Sequence, residues 1–205
     1  DAVLAALHRS GADAVHPGYG FLSENAEFAR RVLAAGATWV GPSPETIELM
    51  GDKAAAIAAA RSAGVPVISG SDGTIDIRTD THAIAERVGY PLLIKASGGG
   101  GGRGIRMVKA PSELRPTLDL ARAEAQAAFG DSRVYLERFI PRARHVEVQV
   151  LGDGQRAIHL GDRDCSTQRR SQKLVEEAPA PQLPPHVRES IRTAAVRLAE
   201  SCGYE

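Results

Sequence analysis

Two stretches of this chain carry residue types that do chemistry on anions. The first is 98-GGGGGRG-104, five glycines followed by Arg103 and Gly104, with Lys95 just ahead of it. Glycines let backbone N–H groups approach phosphate oxygens with no Cβ in the way. They also let a hairpin open and close over a ligand. The second is 168-QRRSQK-173, which gathers Arg169, Arg170 and Lys173 behind Gln168. Such a cluster lowers the repulsion between two anions that must meet, although a solvated basic face has the same composition. The chain holds 4 Lys against 21 Arg. Where Arg is the default cation, a retained Lys marks a place that needs a compact ammonium. The four are Lys53, Lys95, Lys109 and Lys173.

The elements around the glycine run narrow its role. YPLLIKA (90–96) reads as a buried strand, apolar but for Lys95, and IRMVKA (105–110) as an alternating strand. No helix follows the run. A Walker A loop needs GxxxxGK[ST], and Arg103-Gly104 stands in place of its Lys and hydroxyl. Gly99, Gly101 and Gly104 match a dinucleotide fingerprint formally, but that fingerprint opens a helix. A strand–loop–strand lid over phosphates remains, with a plain surface turn as the alternative.

The rest of the chain alternates helix and strand. AVLAALHRSG is helical, ADAVHPG is a strand running into a loop, and Ser23 can cap ENAEFARRVLAAG before the strand ATWVG. That rhythm implies a parallel sheet with crossover helices. SPETIELMG leads to DKAAAIAAARSAG, capped by Asp52 and ended by Gly64. VPVISGSDG is an extended boundary. Thr81 caps THAIAERVG, and Ser112 caps ELRPTLDLARAEAQAAFG, whose apolar stripe is Leu114, Leu118, Ala121, Ala125 and Ala128. VYLERFIP is a strand, and HVEVQVLGDGQRAIHLGDRDC forms two strands around Gly152-Asp153-Gly154. QRRSQKLVEEAPAPQLP reads as loop, and PPHVRESIRTAAVRLAESCG as a final helix.

Composition sets the outer limits. The chain has 205 residues, 43% hydrophobic and 24% charged, with 25 basic and 25 acidic side chains. Zero formal charge advertises neither nucleic acid nor membrane. No apolar run reaches the roughly 18 residues that span a bilayer. Cys165 and Cys202 lack metal-ligand spacing and read as reduced thiols of a cytoplasmic protein. The opening DAVLAALHRSGADAV and the closing GYE both look like interior sequence, so a fragment is expected.

Four long motifs, GDKAAAIAAARSAGVPVISGSDG, YPLLIKASGGGGGRGIRMV, LERFIPRARHVEVQVLGDG and RDCSTQRRSQKLVEEAPAP, resemble the ATP-grasp domain of the biotin carboxylase family. HPGYGFLSENAEFA and VGPSPETIELMGDK resemble its pre-ATP-grasp N-terminal domain. The resemblance covers essentially the whole chain, in order. It implies an α/β fold, with a partial Rossmann-like pre-ATP-grasp domain ahead of an α+β ATP-grasp domain, incomplete at both ends. The implied division is 1–40 for the N-terminal domain, 41–67 for a helical connector, 68–139 for the ATP-grasp lid and 140–205 for the start of the large subdomain.

The resemblance implies a ligase. MgATP (or the Mn2+ form) phosphorylates bicarbonate, and the resulting carboxyphosphate delivers CO2 to biotin on a carrier domain. This is the first half-reaction of an acetyl- or propionyl-CoA carboxylase. Implied partners are the biotin carboxyl carrier domain and a carboxyltransferase, with a homodimer of the full-length protein. Lys53 and Lys95 resemble the lysines on the ATP phosphates, and Gly101 and Gly102 the lid over them. Glu137, Arg138, Phe139 and Ile140 resemble the adenine hinge, and His145 the histidine near the ribose. Ser171 falls at a nucleotide contact where many relatives carry a larger ring residue. Lys173 and Gln168, with Arg170, resemble the bicarbonate site, oriented by Glu176 and Glu177. Tyr19, Gly20 and Glu24 face the biotin pocket.

No metal set is expected within the chain, because the family's magnesium carboxylates and catalytic arginine fall beyond Glu205; the fragment alone is expected to be inactive. Another bicarbonate-activating ligase of the carbamoyl-phosphate synthetase kind, or a non-catalytic ATP-binding fragment, are the alternatives. The lid reading predicts slower amide hydrogen exchange across 97–104 when ATP binds the full-length protein; identical exchange with and without ATP contradicts it.

Overall fold

A computed structural model gives the fold and describes residues 1–75, 80–98, 104–169 and 172–205. In the N-terminal part, α1 (Ala2–Ser10) leads to β1 (Ala14–Val15), and α2 (Ala26–Ala34) to β2 (Thr38–Trp39). The strands pair in parallel, Ala14 with Thr38 and Val15 with Trp39. That is the pairing the helix–strand rhythm implies. Phe28 and Val32 of α2 pack with Leu7, Trp39 and Ile47 in one small core. The Phe28 and Trp39 rings meet edge to face, with centroids 5.6 Å apart.

The cap of α2 is not Ser23. Residues Phe21–Glu24 form a 3-10 turn in which the Ser23 hydroxyl donates to the Gly20 carbonyl. Asn25, whose backbone is extended, accepts the Phe28 N–H instead. α3 (Pro44–Gly51) is capped by Ser43, and Asp52 caps α4 (Lys53–Ser62) as expected, accepting from Ala54 and Ala55. Lys53 is therefore the first residue of α4.

The second unit is a three-stranded antiparallel sheet in the order β4 (Ile105–Val108), β3 (Leu92–Ala96), β5 (Val134–Arg138). α5 (Thr81–Val88) and α6 (Leu114–Phe129) supply its helical cover. Leu92, Ile94 and Ala96 are buried and alternate with Leu93 and Lys95. The strand is thus buried on one face rather than throughout, and Lys95 shares the opposite face with Leu93. Asp80 caps α5, with Thr81 as its first residue. A 3-10 turn at Pro111–Glu113 enters α6 directly, so Ser112 is no cap; the Glu113 carboxylate accepts the Lys109 N–H. The α6 stripe runs Leu114, Leu118, Ala121, Ala125 as expected, but continues at Phe129, i+4, while Ala128 is exposed.

The extended stretch after α4 joins this sheet along the outer edge of β5, through the Ser71 N–H to Leu136 and the Ile75 N–H to Val134. Gly70 permits it: a Cβ there would lie 2.5 Å from the Leu136 carbonyl oxygen.

The third unit is the antiparallel sheet β6 (Val146–Gly152), β7 (Ala157–Arg169), β8 (Gln172–Glu177), with α7 (Pro185–Ser201) packed on β6 and β7. The QRRSQKLVEE stretch is therefore strand at both ends, not loop. All six residues of β8 are exposed, and its two apolar residues, Leu174 and Val175, are adjacent rather than alternating, so no period-two pattern announces a strand; it is paired by backbone with β7.

Asp162 of β7 is 2% exposed and pins this unit. Its carboxylate accepts the Ala180 N–H at 2.9 Å and the Arg192 Nε–H at 2.8 Å, with Arg188 at 3.4 Å. Burial pushes its pKa up, but these donors outweigh burial and hold it below the ordinary value. A carboxyl lowered on folding adds stability above its unfolded pKa, and that stability is lost as pH falls through the folded one. Asp162→Ala should cost about 3 kcal/mol in urea unfolding at pH 7, because two arginines lose a buried partner. A loss under about 1 kcal/mol would contradict the pin.

Candidate functional site

Adjacent strands bring the cationic cluster together. Glu147 of β6 lies opposite Arg163 of β7, and Gln168 of β7 opposite Lys173 of β8. Lys173 reaches across the face of β7 to Glu147, where its Nζ sits 2.5 Å from Oε2. The other Glu147 oxygen, Oε1, accepts from Arg163 Nε at 2.6 Å. Arg163 also donates to Gln149 Oε1, with Nη1 and Nη2 each at 3.1 Å. Glu176 stands 3.6 Å from Arg163.

Sequence reasoning assigned the orienting role to Glu176 and Glu177. Among the described residues, the carboxylate hydrogen-bonded to Lys173 is Glu147, whereas Glu176 ion-pairs with Arg163 in the same cluster and acts on Lys173 only through its charge. The signal for Glu147 lay in HVEVQV, where an acid sits on the polar side of an alternating strand. Its partners come from two other strands, and no local spacing shows them.

Burial pushes the Glu147 carboxyl up, but the hydrogen bonds from Lys173 and Arg163 bring it below the ordinary glutamate range. The Lys173 ammonium is raised, first by the hydrogen bond to Glu147. Cys165 is fully buried beside them, and burial, then Glu147, pushes its thiol up. It stays protonated at neutral pH and is no nucleophile.

Among the described residues, Glu147, Cys165 and Glu176 place ligand atoms within 4.8 Å of one another, a grouping the sequence reading did not find. Both Glu147 oxygens already serve cationic side chains, and the thiol resists ionisation, so the set suits ammonium and guanidinium better than a metal ion.

Gln168 turns toward His145. Its Nε2 lies 2.7 Å from His145 Nδ1 and 2.8 Å from the Cys165 carbonyl oxygen. Lys95 forms an ion pair with Glu137, whose strand neighbour on β3 is Leu93, so the pair runs diagonally across the ladder. That contact joins an expected phosphate lysine to the expected adenine hinge. Arg138 ends β5, the Phe139 N–H donates to Pro91, and Ile140 is 45% exposed.

An open cavity of about 550 Å³ brings Glu24, Lys53, Ser97 and Gly98 to one space, with Thr46 and Tyr204. Lys53 of the connector thus faces the start of the glycine run. Tyr19 is 99% exposed and outside that lining, and Gly20 precedes the 3-10 turn. Gly101, Gly102, Arg170 and Ser171 lie outside the described residues.

Folded values set the pH dependence of the Glu147 cluster. A lowered Glu147 contributes stability above its ordinary pKa, lost as pH falls through the folded value. A raised Lys173 contributes below the ordinary lysine pKa, lost as pH rises through its folded value. Glu147→Gln should therefore destabilise by about 1–2 kcal/mol between about pH 5 and 10, with the gap closing in acid. Urea unfolding checks this, and a gap that does not shrink at all as the pH is lowered contradicts it.

Residues 52–205 match the family model of the carbamoyl-phosphate synthase L chain, ATP binding domain, and residues 1–47 that of the biotin carboxylase N-terminal domain. The chain is 55% identical to the biotin carboxylase of Pseudomonas aeruginosa, over 99% of this chain and 46% of that protein. It is 47% identical to the pyruvate carboxylase of Schizosaccharomyces pombe, over 100% of this chain and 17% of that one.

Among solved structures, it superposes on a Campylobacter jejuni biotin carboxylase–beta-gamma-ATP complex with a TM-score of 0.92 and 45% identity, covering 100% of this chain and 46% of that one. The biotin carboxylase domain dimer of Hydrogenobacter thermophilus 2-oxoglutarate carboxylase, in complex with MgADP, ADP and bicarbonate, gives 0.89 at 47% identity, covering 99% and 45%. The chain spans about half the length of the biotin carboxylases it matches. It belongs to the family of the carbamoyl-phosphate synthase L chain ATP-binding domain, here preceded by a biotin carboxylase N-terminal domain, and its relatives along its whole length include biotin carboxylases and pyruvate carboxylases.

Proposed function

We propose that the whole protein performs the biotin carboxylase half-reaction: ATP-dependent activation of bicarbonate and carboxylation of biotin on a carrier domain. The observation that carries this reading is the Lys173 ammonium, held by Glu147 at the edge of a sheet whose relatives include a complex with MgADP and bicarbonate. Bicarbonate and the γ-phosphate are both anions, and a fixed cation lowers the repulsion between them without reorganising during reaction. A bicarbonate oxygen attacks the γ-phosphorus and ADP leaves. Carboxyphosphate then breaks into CO2 and phosphate, and a ureido nitrogen of biotin takes the CO2 as its N–H proton passes to the released phosphate.

In this reading Lys53 and Lys95 serve the ATP phosphates, with Gly101 and Gly102 over them. The 137–140 segment grips adenine, His145 faces the ribose, and Ser171 lies at the nucleotide. Lys173, with Arg170 nearby, binds bicarbonate, and Tyr19, Gly20 and Glu24 face biotin. Residues 1–40, 41–67, 68–139 and 140–205 form the N-terminal domain, connector, lid and start of the large subdomain. Magnesium carboxylates are expected in the part of the relatives' length that this chain does not span.

The partners are a biotin carrier domain and a carboxyltransferase, and the dimeric relative supports a homodimer of the full-length protein. The relatives include pyruvate and 2-oxoglutarate carboxylases, so the final acceptor extends from an acyl-CoA to a 2-oxo acid. No helix among the described residues is long and apolar enough to cross a membrane, which agrees with a cytoplasmic enzyme. The biotin carboxylase relatives along the whole chain favour this reading over a carbamoyl-phosphate synthetase.

Lys173→Ala in the full-length protein should abolish bicarbonate-dependent ATP hydrolysis and leave ATP binding by calorimetry within about twofold. Unchanged bicarbonate-dependent turnover would remove Lys173 from the anion site.

A further inference from the structure

Residue 145 is strapped to β7 from three sides. The Cys165 N–H donates to the His145 carbonyl at 2.7 Å, and the His145 N–H donates to the Ser166 hydroxyl at 2.9 Å. The Gln168 side chain then closes on the ring. The preceding residue is tied as well, because Arg144 Nε donates to Asp164 Oδ2 at 2.9 Å. A side chain held this closely presents its ring in one orientation.

The Gln168 contacts also determine which ring nitrogen carries the proton. A carbonyl oxygen only accepts, so the carboxamide atom 2.8 Å from the Cys165 oxygen must be the NH2 nitrogen. Turning the amide over would set oxygen against oxygen. The same nitrogen lies 2.7 Å from His145 Nδ1 and has only donors to offer. Nδ1 must therefore provide a lone pair, and the neutral imidazole keeps its proton on Nε2.

We propose that Gln168 is a positioning residue that fixes His145 as an Nε2–H donor, suited to an acceptor oxygen such as a hydroxyl of the ATP ribose. The ligand half of this statement rests on the proposed function above; the tautomer half does not. Both carboxamide hydrogens are spent on protein acceptors, which leaves Gln168 no N–H for bicarbonate. The resemblance to the family's bicarbonate site therefore carries over to Lys173 better than to Gln168. The locked tautomer also excludes His145 Nε2 as a general base, because that atom already holds the proton.

The test uses full-length protein labelled with 15N-histidine. Long-range proton–nitrogen spectra are recorded for wild type, Gln168→Glu and Gln168→Leu, with His145 assigned through His145→Asn. Wild type should show Nε2 protonated and Nδ1 as an acceptor. Gln168→Glu replaces the donor with a carboxylate and should move a proton onto Nδ1. Gln168→Leu should give a mixture of tautomers, and serves if the glutamate variant does not fold. A wild-type Nδ1–H, or a spectrum unchanged in both variants, overturns the lock.

Steady-state kinetics on the same proteins separates the two halves. Gln168→Leu, which adds no charge opposite Lys173, should raise the KM for ATP up to about tenfold, the worth of one neutral hydrogen bond, and leave the KM for bicarbonate within about twofold. A raised bicarbonate KM with an unchanged ATP KM overturns the positioning role and returns Gln168 to the anion. A shifted tautomer with both KM values unchanged upholds the lock and overturns the nucleotide reading of His145.

Discussion

The carboxylate of Glu147 holds two cations at once, the Arg163 guanidinium through one oxygen and the Lys173 ammonium through the other. The three residues stand on β6, β7 and β8, so this one group ties the three strands of the sheet together through their side chains. β8 needs that tie. All six of its residues are exposed, and little apolar burial holds it against β7. Losing the carboxylate would leave two cations close together in a partly desolvated place, the situation that costs most in electrostatics. The hydrogen bond to Glu147 keeps the lysine charged against the opposing effect of its partial burial.

The β4–β3–β5 sheet uses the same device. Lys95 on β3 pairs with Glu137 on β5, with side chains only 21% and 14% exposed. Two of the chain's four lysines are thus held by a glutamate from another strand of the same sheet. An arginine would fill such a place with a planar fork and more donors than one carboxylate can use. A compact ammonium keeps donors to spare for a ligand, because one carboxylate does not exhaust its three hydrogens. In a chain that otherwise prefers arginine, these two positions stand out as compact ammonium groups held by a cross-strand glutamate.

The sequence made the helices and the lid strands legible because their signals are local. Asp52 caps α4, and Leu114, Leu118, Ala121 and Ala125 face the core at helical spacing. The misread caps fail where a 3-10 turn or an upstream acid intervenes: Ser23 and Ser112 sit inside 3-10 turns, and Asp80 takes the role expected of Thr81. β8 escaped because its partner, not its own pattern, makes it a strand. Lys53, Lys95 and Lys173 were marked by type and resemblance alone. Glu147 was not, since its role arises from residues 16 and 26 positions away. Gln168 was found, but with a different neighbour. A resemblance names a residue, whereas only the fold shows which of its hydrogens are already used.

In the function proposed above, the full-length protein spends ATP on bicarbonate bound at Lys173. Oxygen transfer tests it most directly: the full-length protein is given MgATP, free biotin and 18O-labelled bicarbonate, and the released phosphate is analysed by mass. If a bicarbonate oxygen attacks the γ-phosphorus, each released phosphate keeps one labelled oxygen. Phosphate whose new oxygen comes from water alone would mean that ATP is hydrolysed without activating bicarbonate, and would contradict the account.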